Sequence, residues 1–289
     1  MTATYQASPR PTFDAPAAIP YATVTRHLWG DEAAGLVADW IYVSSMEIHQ
    51  LVFGLGPGGR FTHSPAFRTV FAADEVLYVL SGTMAIANPE TGEVHLVEPG
   101  EAAFFRRDTW HHAWNRGTDE LRVLELFSPP PAQGTSGSYA RTRPYLDTPR
   151  YTRDDLLGDL PAGADQASRN ETIRVIRPAD IHWRLEGDTH PVPVGLLAST
   201  EHLTVGTLTL LPGEMTDTET HGGAESLYVV AGTLHVQTPG SAAPSFFELA
   251  ARDGFYLPTG TPHRYANYGS EPATVVFGVA PRYRPDAPA

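Results

Sequence analysis

Glu75 to Gly82 reads EVLYVLSG, and Glu225 to Gly232 reads ESLYVVAG, at an offset of 150 residues. Self-similarity within one chain constrains the fold more than any composition figure, because it requires one structural unit to be built twice. The pairing extends beyond these octapeptides. Pro57-Gly58 matches Pro212-Gly213 at an offset of 155, and His111-x-x-x-Asn115 matches His263-x-x-x-Asn267 at 152. His27 and Trp29 lead into the first copy, as His182 and Trp183 lead into the second. A chain of 289 residues suits two units of about 150 each. The first is placed at 21–128 and the second at 181–289. Residues 129–180, rich in Pro, Gly, Ser and Arg, read as the linker, too long for a plain loop and so expected to pack in part against a barrel. Residues 1–20, rich in Pro, Ala and Thr, read as a flexible N-terminal arm.

Within each unit, short β-branched and aromatic runs alternate with turn signals. Leu77–Leu80, Leu121–Phe127, Leu203–Leu211 and Thr274–Val279 are such runs, punctuated by many of the 26 glycines and 26 prolines. This pattern predicts an all-β barrel or sandwich. Only Asp154–Leu160 has a weak helical pattern. Gly54-x-Gly56-x-x-Gly59 spells a dinucleotide-binding pattern, but Pro57 and the residues after it do not begin a helix, so it reads as a hairpin turn. No stretch reaches the roughly 18 apolar residues of a membrane span. The first residues lack a basic region followed by an apolar run, so a soluble cytoplasmic protein without membrane partners is expected.

All 20 basic residues are arginine, and the chain has neither lysine nor cysteine. Schiff-base chemistry, a P-loop lysine, thiolate nucleophiles, Cys-bound zinc and iron–sulfur clusters are therefore excluded. A net charge of −13 argues against nucleic acid as a partner. The chemistry is expected among the 12 histidines.

In the second copy, Glu219-Thr220-His221 places two ligand-type side chains at i and i+2, on one face of a strand. Glu225 follows, and His263 comes after the turn Pro258-Thr259-Gly260. Two imidazoles and two carboxylates around one divalent cation suit Mn²⁺ or Fe²⁺, with Zn²⁺ or Ni²⁺ also compatible. The run from Gly213 through Glu219, His221 and Glu225 to Gly232 resembles the first cupin motif. Pro258-Thr-Gly260-Thr-Pro-His263-x-x-x-Asn267 resembles the second at every fixed position. With the repeat, the chain is similar to the bicupins, which implies two tandem cupin (double-stranded β-helix, jelly-roll) barrels. The resemblance implies metal ligands at His221, Glu225 and His263, with Glu219 in the slot where the family carries its first histidine. The Glu-x-His pair is also similar to that of the ureidoglycine aminohydrolases, bicupins with a Mn²⁺ site in the C-terminal barrel. That family has a second His and a Gln where this chain has Glu225 and His263.

The first copy is degraded. Glu75 and His111 match a ligand Glu and the late His, but a segment five residues longer, with the single His63, stands in place of the His-x-His pair. Arg106 and Asp108 replace the Pro and Gly of the second motif. His63, Glu75 and His111 are a candidate second metal site; the alternative is a metal-free barrel that serves assembly. Arg106-Arg107 either holds an anionic substrate or pairs with surface acids.

The expected function is a metal-dependent enzyme acting on a small polar or anionic molecule. A dioxygenase comes first, because open positions on Fe²⁺ favour proximity and Lewis-acid catalysis. Glu219 is then a ligand or, if it is not, the general base. Tyr265 shares strand parity with His263 and is the second catalytic candidate. Non-oxidative chemistry at a Mn²⁺ site (aminohydrolase, lyase or decarboxylase) and ligand binding without turnover are the alternatives. A homo-oligomer is expected, because cupin barrels leave sheet edges and apolar faces to be covered.

Overall fold

The computed structural model describes residues 7–129, 138–151, 171–242 and 244–285. Almost every element is a strand. Ahead of the first repeat lies β1 (Ala17–Ile19). The first repeat then forms β2 (Thr25–Asp31), β3 (Gly35–Ser44), β4 (His49–Leu55), β5 (Arg60–Phe61), β6 (Asp74–Ser81) and β7 (Met84–Ala87). It continues with β8 (Val94–Val97), β9 (Ala102–Phe105), β10 (His112–Asn115) and β11 (Leu121–Ser128). A five-residue helix, α1 (Ser138–Thr142), and β12 (Ile173–Ile176) follow. The second repeat forms β13 (His182–Glu186), β14 (Val192–Ser199), β15 (Thr204–Leu210), β16 (Ala224–Ala231) and β17 (Thr233–Gln237). It ends with β18 (Phe246–Ala250), β19 (Gly254–Leu257), β20 (Arg264–Ala266) and β21 (Ala273–Ala280).

Each repeat folds as two antiparallel sheets. The N-terminal barrel has a seven-stranded sheet, β12-β9-β6-β11-β4-β3-β2, and a four-stranded one, β5-β10-β7-β8. The C-terminal barrel has β1-β19-β16-β21-β15-β14-β13 and β18-β17-β20. Strand alternation turns one set of residues inward in each barrel. Trp29, Phe53, Leu77, Phe105 and Leu121 fill the first interior, and Leu208, Leu227, Phe255 and Val275 fill the second. The Gly54–Gly59 run, expected as a hairpin turn, is instead the end of β4 and a turn that carries the chain to β5 in the other sheet of the barrel.

The outermost strands are exchanged between barrels. Strand β1 pairs with β19, Ala17 opposite Tyr256, and so completes the C-terminal sheet. Strand β12 pairs with β9, Ile173 opposite Phe105, and completes the N-terminal sheet. The large sheets also share a core in which Tyr42, Ile48 and Leu126 of one barrel meet Leu203, Tyr228 and Ala280 of the other. The Tyr42 hydroxyl donates to the Arg252 carbonyl at 2.6 Å, and the Gln50 side chain donates to the Leu227 carbonyl at 3.1 Å. Gly254 sits under the Tyr42 ring, where a Cβ would lie 2.4 Å from Cδ1.

One expectation is corrected here. The arm over 1–20 is not free along its described part: Ala17–Ile19 is a sheet strand, the Ser44 amide donates to the Pro11 carbonyl, and Arg10 reaches the Ser45 carbonyl. Within 129–180, the segment expected to pack in part against a barrel, Ala140 of α1 packs with Val70 and Trp110, and β12 pairs with β9 of the N-terminal barrel. The helical pattern at Asp154–Leu160 lies outside the described residues.

Candidate metal centre

The backbone places Glu219 and His263 opposite each other before any side chain is considered. Each amide donates to the other's carbonyl, at 2.8 and 2.9 Å, in an isolated bridge beside β20. His221 lies two residues on, and its carbonyl accepts from the Gly260 amide at 3.0 Å. Gly222 and Gly223 then carry the chain into β16, where Glu225 is paired between Leu257 and Val279. Gly223 passes so close to β21 that a Cβ there would lie 2.1 Å from the Ala280 carbonyl oxygen.

Four side chains converge as a result. Glu225 Oε2 lies 3.3 Å from His221 Nε2 and 3.2 Å from His263 Nε2, and Glu219 Oε1 lies 4.0 Å from His263 Nε2. Ligand atoms of Glu219, His221 and His263 all fall within 4.8 Å of one another, the one such group among the described residues. Both imidazoles are oriented from behind. Nδ1 of His221 faces the Tyr283 carbonyl at 2.7 Å, and Nδ1 of His263 faces the Thr261 carbonyl at 2.9 Å. Each Nδ1 therefore carries a proton, which leaves the Nε2 positions to the shared space. Glu225 Oε2 and His263 Nε2 are buried without a hydrogen-bond partner. An unpaired buried carboxylate oxygen and imidazole nitrogen, with the second carboxylate of Glu219 beside them, fit a divalent cation of the Mn²⁺ or Fe²⁺ class.

Without a cation the charges redistribute. Burial pulls the His221 imidazole down, but the Glu225 carboxylate, helped by Glu219 and the Tyr283 carbonyl, more than reverses this and lifts it to about 9. Burial pushes the Glu225 carboxyl up, and the two imidazoles hold it well below the usual carboxylate range. The half-buried Glu219 is raised, mainly by desolvation.

Glu219, His221 and Glu225 border a cavity of about 610 Å³. Val192, Val194, Leu208 and Phe277 form its apolar wall, and Glu186, Asp188 and Asp217 lie among its polar lining. Tyr265 lines it too, with its ring centroid 5.2 Å from that of His263 and its buried hydroxyl unpartnered. Burial, then Glu225 and Glu219, pushes that phenol well above its ordinary value, so it keeps its proton.

Comparison with known proteins accords with this geometry. The cupin domain family matches residues 70–127 and 206–279, one segment in each barrel. Similar solved structures superpose over nearly the whole chain. The chain is a bicupin. The Putative Glyoxylate Induced Protein from Pseudomonas aeruginosa superposes with a TM-score of 0.65 at 17% identity, covering 96% of this bicupin and 93% of that chain. Protein Ylba from E. coli gives 0.62 at 10%, covering 95% and 93%. A variant of Bacillus subtilis oxalate decarboxylase gives 0.60 at 15%, covering 97% and 80%. No protein of curated function matches the sequence.

The bicupin's N-terminal barrel does not bring His63, Glu75 and His111 together. His111 Nε2 does lie 3.7 Å from Glu75 Oε1. His63, however, points away: its Nδ1 meets His112 Nε2 at 2.6 Å and its Nε2 meets the Leu146 carbonyl at 2.6 Å. The reason is the position of the insertion. The His111 amide donates to the Thr69 carbonyl, as the His263 amide does to Glu219. Thr69 and Phe71 therefore occupy the slots of Glu219 and His221, and the extra residues lie upstream of them. Counting back from Glu75 at the offset of 150 would have found this. Arg106 pairs with Asp74 at 2.8 Å and Glu201 at 2.6 Å, an ion pair that joins the two barrels. Asn115 and Asn267 are turn residues: Asn267 donates to the carbonyls of Leu210 and Glu271, both at 2.8 Å.

Tyr283 and Glu186 escaped the sequence reading. The Tyr283 ring stacks on His221 at 4.7 Å, and its hydroxyl donates to Glu186 at 2.7 Å. Tyr283 follows the last strand and Glu186 ends an edge strand, so no periodicity or motif marks either.

Proposed function

We propose that the C-terminal barrel is the single active site of a divalent-metal-dependent enzyme acting on a small polar molecule, with dioxygenase chemistry at Fe²⁺ as the leading reading. The supporting observation is the convergence of Glu225 Oε2 on two imidazole Nε2 atoms within 3.3 Å, with Glu219 beside them. A bound divalent cation supplies Lewis acidity and open coordination positions in such a pocket. The chain's own residues do the rest. His221, Glu225 and His263 hold the cation, and the carbonyls of Tyr283 and Thr261 fix the two rings. Glu219, half-buried at the cavity, either completes the set or accepts a proton from the substrate. Tyr265 keeps its phenolic proton and is placed to donate a hydrogen bond to the substrate or its product. The apolar wall keeps bulk water from the reacting end.

A non-oxidative reaction, decarboxylation, hydrolysis or elimination at Mn²⁺, is the second reading. Glu219 favours it, because its raised carboxyl faces the cavity as a base would. The experiment is turnover of a panel of small keto, hydroxy and amino acids by Fe²⁺- and Mn²⁺-loaded protein, with dissolved oxygen, carbon dioxide and ammonia followed together. Oxygen consumption stoichiometric with substrate supports the first reading. Turnover at an unchanged rate without oxygen supports the second and overturns the first. Turnover that survives His221→Ala would remove the reaction from this barrel.

A further inference from the structure

The N-terminal barrel has lost two ligand slots, and acids appear elsewhere in its wall. Strand register sets the correspondences. Asp39 of β3 faces Phe53 of β4 as Val194 of β14 faces Leu208 of β15. Glu125 of β11 lies between Leu51 and Leu77 as Phe277 of β21 lies between Gly206 and Leu227. Where the C-terminal barrel carries Glu219, His221, Val194 and Phe277, the first therefore carries Thr69, Phe71, Asp39 and Glu125. The acids of β3 and β11 are not remnants of a metal motif, because they replace apolar wall positions.

These groups surround a second, small cavity of about 30 Å³, room for roughly two water-sized groups. Asp39, Thr69, His111 and Glu125 line it, and Glu75 touches both His111 and Glu125. Asp39 is 4% exposed, Thr69 2% and Glu75 1%. Asp39 Oδ2, Thr69 Oγ1 and Glu75 Oε1 have no hydrogen-bond partner. No arginine lines the space. Buried acids without a counter-charge call for protons or a cation.

The remaining wall selects the cation. Trp29, Phe53, Phe61 and Phe71 contribute aromatic rings. Ring faces attract an ammonium but cannot replace the oxygen ligands of a hard metal ion. The acids also stand outside the 4.8 Å grouping that marks the C-terminal donors. An ammonium nitrogen can bridge acceptors about 5.6 Å apart, at roughly 2.8 Å from each. We propose that the interior of the N-terminal barrel binds ammonium or the –NH₃⁺ head of a very small amine, held by Asp39, Glu75, Glu125 and Thr69 against the aromatic wall. This assignment does not depend on the reaction of the C-terminal barrel.

The test is thermal unfolding of the full chain at constant pH and ionic strength in ammonium, methylammonium, tetramethylammonium and sodium chloride. Ammonium, and methylammonium at least in part, should raise Tm saturably above the sodium value, as any ligand specific for the native state does. Tetramethylammonium, too large for the cavity, should match sodium. The ammonium increment should vanish in Asp39→Asn and in the near-isosteric Glu125→Gln, each compared with its own sodium baseline, and persist in His221→Ala. The second variant keeps the test decisive if the first does not fold. Equal Tm values in all four salts, or an increment untouched by both substitutions, would overturn the proposal. So would a second equivalent of Mn²⁺ that Asp39→Asn removes, because the site would then be one for a metal ion.

Discussion

His221 is the residue on which the proposed centre depends most directly. It contacts Glu225, is held by Tyr283 and lies in the one compact donor group among the described residues. His221→Ala should lose nearly all bound metal by elemental analysis. Glu219 stands further off, so Glu219→Ala should weaken metal binding by about 10–100-fold, the range seen when a supporting partner is removed. Glu219→His should retain the metal while shifting its selectivity towards softer ions. The pH dependence follows from the metal-free state. Its His221 is raised from 6.5 to about 9, so the stabilising Glu225–His221 interaction is fully present below pH 6.5 and fades as pH rises through 9. A metal must displace that proton. Its affinity should therefore climb with pH up to about 9, with close to one proton released per ion near pH 7.5. Calorimetry in buffers of different ionisation enthalpy measures the count. His221, Glu225 and His263 were legible in the sequence because motif spacing and strand parity both point to them. His63 was misplaced because a motif gap records the length of an insertion and not where along the loop it falls. Asp39 and Glu125 were invisible because an acid amid a strand reads as solvent-facing until the register is known.

Among the elements, the short path from His221 to β16 carries the tightest constraint. Gly223 has no room for a side chain beside the Ala280 carbonyl, so Gly223→Ala must push β16 away from β21. Glu225 would move with it. We expect metal binding to fall at least tenfold and Tm to drop, both measurable on the same preparation. The strand pattern itself was readable from β-branched runs and glycine turns. Which sheet β1 and β12 join was not, because hydrogen-bonding partners across the chain leave no local trace. Ile173 and Ile176 of β12 are buried in the N-terminal barrel's sheet and the core between the barrels, respectively. Ile173→Ala should cost about 2–5 kcal/mol by denaturant unfolding, although it lies outside the first repeat.

For the whole molecule, the contrast between the barrels predicts metal content near one equivalent per chain. Anomalous scattering or elemental analysis should place it in the C-terminal barrel. The outer edges of the large sheets, β2 and β13, carry the exposed Leu28, Trp183 and Leu185. Such edges favour self-association. Sedimentation at micromolar concentration should therefore show a species larger than one 31.4 kDa chain. No described helix is long and apolar enough to cross a membrane.

The traded strands also fix an order of events during synthesis. The N-terminal sheet can close only after Ile173–Ile176 has left the ribosome, well past the end of the first repeat. Ala17–Ile19 is made long before Gly254–Leu257 and must wait for it before it can complete the C-terminal sheet. Contacts at such separation fold slowly. Neither repeat cut at its own sequence borders carries a full set of strands, so a gene split at residue 128 should yield two insoluble halves. A split within 138–151 puts β1 and β12 on the same two fragments as a split at 128, and only expressing both fragments together makes each strand available to its sheet. Co-expression from that break, more than either piece alone, is the arrangement from which the intact pair of barrels should be recovered.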